Sequence, residues 1–339
     1  MSSKQKAIVI GSGVVGLTVA DYLTDSLFDV TIYSASSGPD SSCCSWWAGG
    51  MLAPYCEQET AEPIIGKLAK ESLVYWQDNA ANYHSLGTLV LATQRDLPLL
   101  YDFKNKTESW LDVGRTDIER LEPHVDRRLI SGLYFENEAH IDPRKTLQKL
   151  EQKLKAKGAI FNYGQRLSDE YIETQLNADW IIDCRGMGGK KRLSSLRGVR
   201  GEMLYLQSDE IQLSRPIRLL HPRIPIYIVP RGNGLFMVGA SMIESENDGP
   251  ISVRATMELL SSVYTVNPAF GEASILETGA DLRPAFDDNI PAIHQDGRYL
   301  SINGMYRHGY LAAPAMARRT LDIVSGSASL EEIRNEDYS

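Results

Sequence analysis

No apolar stretch of this sequence approaches the ~18–20 residues that a membrane-spanning helix requires. The first apolar run, residues 7–10, is broken at once by Gly11, Ser12 and Gly13, so no export signal is expected there. There is no basic run and no Lys/Arg stripe, and the formal charge is −9. Neither nucleic acid nor an anionic membrane surface is therefore an expected partner. Cysteine is scarce. Cys43, Cys44, Cys56 and Cys184 form no metal-ligand spacing and no disulfide framework. They read as small residues in packed or loop positions, and a reducing cytoplasm suits them. Repeats and low-complexity segments are also missing.

What is present suits a globular chain of two domains: 339 residues, 43% apolar and 23% charged. A strand at 7–10, a glycine turn, a helix at 14–25 and a strand at 28–33 make a βαβ opening. Apolar residues at helical spacing follow over 60–79, with Pro63 suited to the first turn. A strand is expected at 87–93, and Thr116 with Glu119 forms a capping-box pattern. Asp142 is a natural N-cap with Pro143 at the first helical position, Leu147, Leu150 and Leu154 on one face, and Gly158 at the end. Strands are expected at 159–163 and 180–184. Residues 226–230 and 235–240 read as an antiparallel hairpin, because Asn233-Gly234 tolerates positive φ. A helix over 252–266, a strand over 299–303 and a last helix over 309–325 complete the reading.

Gly11-Ser12-Gly13-Val14-Val15-Gly16 stands between the first strand and the first helix, as a dinucleotide fingerprint requires. Gly11 allows the tight turn, Gly13 lets a pyrophosphate approach the backbone, and Gly16 lets the helix pack on the strand. The helix N-terminus offers free N–H groups to the phosphates. The acid expected at the end of the second strand is missing. Ser34 follows Val30-Thr31-Ile32-Tyr33, which counts against a standard NAD reader and leaves only a hydroxyl for the ribose. In the C-terminal half, Arg283, Tyr227, Met242 and Arg307 form a candidate set. An arginine fork with a tyrosine hydroxyl is a sound carboxylate clamp. Spacing alone does not bring them together, and each alone reads as a salt-bridge or core residue. Tyr227 is expected on one strand of the hairpin and Met242 on its partner.

Longer motifs carry a resemblance. Ser45-Trp46-Trp47-Ala48-Gly49-Gly50-Met51-Leu52-Ala53-Pro54, His140-Ile141-Asp142-Pro143-Arg144, the stretch 221–231, Val238-Gly239-Ala240-Ser241-Met242, Leu282-Arg283-Pro284 and the stretch 303–314 occur in that order. Together with the glycine turn they make the chain similar to the FAD-dependent amino-acid oxidase superfamily, and within it to the glycine oxidases of thiamine biosynthesis. The resemblance implies an α/β plus antiparallel-β fold, with a Rossmann-like FAD-binding domain (1–82, 139–198, 281–339) interleaved with a substrate-binding domain (83–138, 199–280). It implies FAD held by Gly11 to Gly16, Ser34, Ser45, Trp47, Ala48, Gly49, Gly50, Met51, Gly186, Gly304, Tyr306, Arg307, His308, Gly309, Tyr310 and Leu311. It implies that Tyr227 and Arg283 bind a substrate carboxylate, that Met242 lines the pocket, and that Arg307 lies beside substrate and flavin. The helix from Gly309 is expected to aim its N-terminus at the flavin. Asp281 stands where glycine is common, and it either orients Arg283, competes with substrate or faces away. His140, His221 and His308 are expected to be structural.

The implied reaction is hydride transfer from the neutral amine form of glycine. Oxygen acts as electron acceptor, giving peroxide, and the imine becomes glyoxylate or passes to thiazole-synthesis enzymes. A homo-oligomer is implied. A D-amino-acid oxidase, a sarcosine-type oxidase and a quinone-linked amino-acid dehydrogenase stay open, since pocket volume separates them, and the absence of a basic amphipathic or apolar anchor argues against membrane quinones. A nicotinamide dehydrogenase and a noncatalytic nucleotide-binding regulator fit the motifs less well. Purified protein should be yellow and should release FAD on acid precipitation; colourless material that FAD cannot reconstitute ends this reading.

Overall fold

The computed structural model describes residues 4–26 and 28–337; the expected outer bounds at 1 and 339 lie outside them. Two large sheets organise the chain. Lys6–Ile10 pairs in parallel with Asp29–Tyr33 on one side and Trp180–Asp183 on the other. Ile160–Asn162 and Tyr299–Asn303 extend the sheet in parallel, and Ala292–Asp296 closes one edge antiparallel. Alternation along the first strand serves both faces. Ala7 and Val9 pack into the helical layer with Leu17, Leu147 and Ala313, while Ile8 and Ile10 pack with Leu167 and Ile172.

The second sheet has nine strands. Its centre is Arg197–Gln207, Leu235–Gly239 and Ile226–Gly232, antiparallel throughout. The hairpin turn carries Asn233 at φ 52 and Gly234 at φ 72, as Asn-Gly favours. Ser274–Ala285 pairs antiparallel with Arg197–Gln207 over nearly its whole length. Helix Val253–Val266, capped by the Ser252 hydroxyl on Ala255 N–H, packs across this sheet through Leu259, Val263 and Val266. The chain passes back and forth between the two sheets, so their strands interleave in sequence.

The helix starts follow their caps. Asp142 accepts from Lys145 N–H with Pro143 next, opening Pro143–Ala156. Three expectations need correction. Thr116 is not a cap: the helix Arg115–Leu121 begins earlier, and Asp117 accepts from Gly114 N–H at 3.4 Å because the strand Leu111–Gly114 runs straight into it. The helix Gly309–Val324 is followed by another, Leu330–Asp337, which tucks Ile333 into the core. Met242 is not on the hairpin strand, which ends at Gly239. Arg283 lies in the strand Ser274–Ala285, which belongs to this second sheet.

One contact fixes the helix that reaches the site. Pro314 lies inside Gly309–Val324 and has no N–H for the carbonyl of Tyr310 one turn back. The Trp76 indole donates to that carbonyl at 2.6 Å from the helix Pro63–Asn79. Trp76 is fully buried, so no water replaces it. Trp76→Phe should cost ~1–3 kcal/mol for the orphaned carbonyl, beyond its loss of volume. In a Pro314→Ala background the backbone N–H returns, and the same change should cost less. An equal shift of the unfolding midpoint in both backgrounds would remove the indole from this role.

Candidate active site

A cavity of about 1310 Å³ runs between the two sheets. That exceeds the ~300–1,000 Å³ typical of a small-ligand pocket and leaves room for a dinucleotide and a substrate. At one end lies the glycine turn. Gly11 sits at φ 108, and a Cβ there would come within 2.6 Å of the Cys184 carbonyl oxygen. A Cβ on Gly16 would collide with the Gly11 carbonyl. The helix Val14–Asp25 has no side-chain cap on Gly13, although Ser45 Oγ accepts from Val14 N–H at 3.1 Å. Uncapped N–H groups and a helix dipole directed at a cavity suit an anion. Ser34 is buried at the strand end with its hydroxyl 2.7 Å from Ser12 Oγ and 3.2 Å from Ser36 Oγ. It lines the cavity as expected, though it shares its hydroxyl with these two neighbours.

The loop from Ser45 to Met51 forms the middle of the floor. Gly50 needs φ 70, and a Cβ on it would meet Pro143 at 2.8 Å. Gly49 lies under the Tyr227 ring, where a Cβ would come within 2.8 Å of it. Arg231 fastens this loop from the antiparallel sheet, donating to Ile141 O at 3.0 Å, Ala48 O at 3.3 Å and Gly49 O at 2.7 Å. The Tyr310 hydroxyl donates to Ser45 O at 3.1 Å from the helix Gly309–Val324. Asn303 Nδ2 donates to Gly186 O at 2.9 Å and fixes the turn Gly186–Gly189 at the cavity edge.

The roof is the antiparallel sheet. Tyr227 projects from Ile226–Gly232 and Arg283 from Ser274–Ala285, both into the cavity. Arg283 folds over Gly201, where a Cβ would collide with its guanidinium. Its Nη1 donates to Ser241 O at 3.1 Å and, more weakly, to Arg200 O at 3.5 Å. Among the described residues it has no carboxylate partner, and Nε and Nη2 make no protein hydrogen bond. Burial pushes the Tyr227 phenol above its ordinary pKa, against the nearby Arg283 charge, so it stays protonated and able to donate.

Arg307 differs. Its Nε lies 2.9 Å from Glu57 Oε2, and Nη2 contacts Thr60 Oγ1. Arg218 approaches Glu57 at 3.6 Å and Glu59 at 2.6 Å. Burial raises the Glu57 carboxyl, but Arg307 and Arg218 hold it below its ordinary value. Met242 is exposed, with its sulfur 3.0 Å from the Tyr306 hydroxyl and 3.7 Å from Arg307 Nη1.

All the expected site residues line the cavity except Gly16, Gly304 and His308, which lie behind its wall. Glu57 and Arg218 went unforeseen. The acids of Cys56-Glu57-Gln58-Glu59 are visible in sequence, but their arginine partners lie 159 or more residues away. No group of His, Cys, Asp and Glu among the described residues could hold a metal ion. Among those residues, too, no helix is long and apolar enough to cross a membrane.

The family described as FAD dependent oxidoreductase (DAO) matches residues 6–323. A Rhizobium etli protein named as a candidate thiamine biosynthesis oxidoreductase, ThiO, is 46% identical over 92% of this chain and 94% of its own. The glycine oxidase of Bacillus licheniformis is 24% identical over 96% and 95% of the two chains. The crystal structure of glycine oxidase from Bacillus cereus superposes with a TM-score of 0.80 at 21% identity, over 97% of this chain and 98% of that one.

The site histidines have a defined charge state. Burial lowers His308 to about 4, with Glu57 opposing and Arg307 reinforcing the shift. Burial and then its stacked neighbour His84 lower His140 to about 3. A histidine with a depressed folded pKa contributes stability that is present above its ordinary pKa and lost as pH falls toward the folded value. Neither ring should titrate between pH 5.5 and 8 by NMR, roughly the window in which ordinary histidines do. A His308 resonance moving with a midpoint near neutral pH would contradict this environment.

Proposed function

We propose that this chain, which belongs to the DAO family of FAD-dependent oxidoreductases, oxidises a small amino acid, glycine first, to its imine. The observation that carries this reading is Arg283: a guanidinium in the cavity roof with two unspent nitrogens, no counter-ion among the described residues and the Tyr227 hydroxyl in the same cavity. Such a cation is suited to a carboxylate brought in from solvent, held bidentately and always charged. Tyr227 adds one hydrogen bond. Arg307 is already committed to Glu57 and serves the wall more than the carboxylate.

The cradle observed here fits FAD. We assign the pyrophosphate to the N–H groups after Gly13, the ribose to Ser34 with Ser12, and the ring to the space between the loop 48–51 and the roof strands. Bound there, FAD supplies a hydride acceptor. The chain's own residues hold the carboxylate, exclude water and orient the α-carbon. The substrate amine must be neutral to release hydride. His308 is buried and behind the wall, so solvent is the proton sink, and rates should rise with pH. The 46% identity to the Rhizobium etli protein supports a place supplying thiazole synthesis in thiamine biosynthesis, and oxygen is the acceptor we propose.

Arg283→Ala leaves a desolvated carboxylate with Tyr227 alone, so glycine binding should weaken by ~2–5 kcal/mol. Arg283→Lys keeps the charge but loses the fork and should recover part of that. Stopped-flow flavin reduction across titrations of glycine, sarcosine and small D-amino acids measures both effects and ranks the substrates. Near-wild-type saturation in Arg283→Ala means that other groups hold the carboxylate.

A further inference from the structure

Asp281 is the charge of the roof that nothing else uses. It stands two residues before Arg283 in the strand Ser274–Ala285, so the two side chains leave the same face roughly 7 Å apart along the strand. Both line the cavity and both are half-buried. The cross-strand partner of Asp281 is Gly201, the residue over which Arg283 folds, so the guanidinium turns back toward the carboxylate. Even so, the two make no ion pair. Among the described residues the only hydrogen bond to the Asp281 carboxylate comes from the N–H of Leu282 at 2.7 Å. Arg200 and Glu202, on the neighbouring strand, pair with each other at 2.9 Å and stand in register with Leu282 and Ala280, on the opposite face.

The groups that act on Asp281 are few. Arg283 on its own strand attracts it, Asp248 from the exposed loop after Glu246 repels it, and Cys43 and Cys44 face it from the start of the floor loop. Beyond burial and its neighbour Cys43, the Cys44 thiol is raised by Asp281 and lowered by Arg283, so both charges reach one point of the cavity. Burial raises the Asp281 carboxyl to about 6, with the Leu282 N–H and Arg283 opposing it, which leaves it ionised at neutral pH and above.

We propose that Asp281 receives the ammonium group of an α-amino acid whose carboxylate Arg283 holds, which makes the pocket selective for the zwitterion. This rests on the amino-acid reading above. It carries a definite cost. A carboxylate beside an ammonium favours the charged form, so Asp281 strengthens capture of the zwitterion while holding the proton whose loss hydride release requires. Binding and limiting rate should therefore respond in opposite senses when it is removed.

The experiment uses the flavin-loaded enzyme and its Asp281→Asn and Asp281→Gly variants, with flavin content measured first. Flavin reduction by glycine is followed across pH, and acetate, a carboxylate without a nitrogen, serves as a competing ligand read by the flavin absorbance change. In both variants the glycine dissociation constant near neutral pH should rise roughly tenfold, and the midpoint of the limiting rate should move down by about one pH unit. Acetate should bind several-fold tighter, because the carboxylate that repelled it is gone. Glycine and acetate moving in the same direction, or neither moving, overturns the assignment while leaving glycine oxidation intact. A wild-type enzyme that no small amino acid reduces sinks the parent reading, and this one with it.

Discussion

A half-buried guanidinium without a counter-ion is the constraint around which this site is arranged. Desolvating a cation is costly unless hydrogen bonds or an opposite charge compensate. Elsewhere buried guanidinium groups meet that cost with carboxylates or carbonyls. Arg200 pairs with Glu202, Arg215 with Glu122, and Arg185 with Asp183 and Asp169. Arg231, also unpaired, gives its fork to three carbonyls of the floor. Arg283 has two longer carbonyl contacts through a single nitrogen. Its position is steric as much as electrostatic: Gly201 has no Cβ, and that absence leaves the space the guanidinium occupies.

The floor must stay in register with that roof, and the links between them are specific. Gly49 passes under the Tyr227 ring without a side chain of its own. Arg144, from the first turn of Pro143–Ala156, stacks over Tyr205 at 4.0 Å and Trp46 at 4.7 Å and pairs with Glu277 at 2.7 Å. It thereby ties one helix of the parallel-sheet layer to the floor loop and to both strands Arg197–Gln207 and Ser274–Ala285. Such partly desolvated cation–π and ion-pair contacts are individually modest. They act on the same short loop as Arg231 and Tyr310, so the floor is held from both layers at once.

Local chemistry was legible in the sequence, and long-range chemistry was not. Gly11 to Gly16, the Asp142–Pro143 cap and the Asn233–Gly234 turn are decided within a few residues, by φ, by a missing Cβ or by one capping oxygen. Their places in the structure follow from those facts. Met242 was misplaced because a period-2 pattern does not reveal that the strand stops at Gly239. The wall around Glu57 was invisible for a different reason. An acid-rich run reads as a solvated loop until Arg218 and Arg307 arrive from distant strands and turns to bury it. Motif resemblance could bring Tyr227 and Arg283 to one site, because whole blocks of sequence specify them, but it said nothing of which arginine keeps its charge free.

That difference decides what each arginine can do. Glu57 makes Arg307 electrically quiet, and the buried His308 beside them stays neutral, so this wall adds little net charge to the cavity. A neutral wall neither attracts a second carboxylate nor stabilises an ammonium. Arg283 and Asp281, on one strand two residues apart, both line the cavity, and among the described residues neither makes an ion pair. Because Arg283 folds back over Gly201, the cross-strand partner of Asp281, the two groups converge and suit a ligand whose carboxylate and ammonium are adjacent, as in a small α-amino acid. A larger substrate would have to place its side chain toward exposed Met242 and Tyr306, where a thioether and a phenol meet it and Arg307 approaches the sulfur at 3.7 Å.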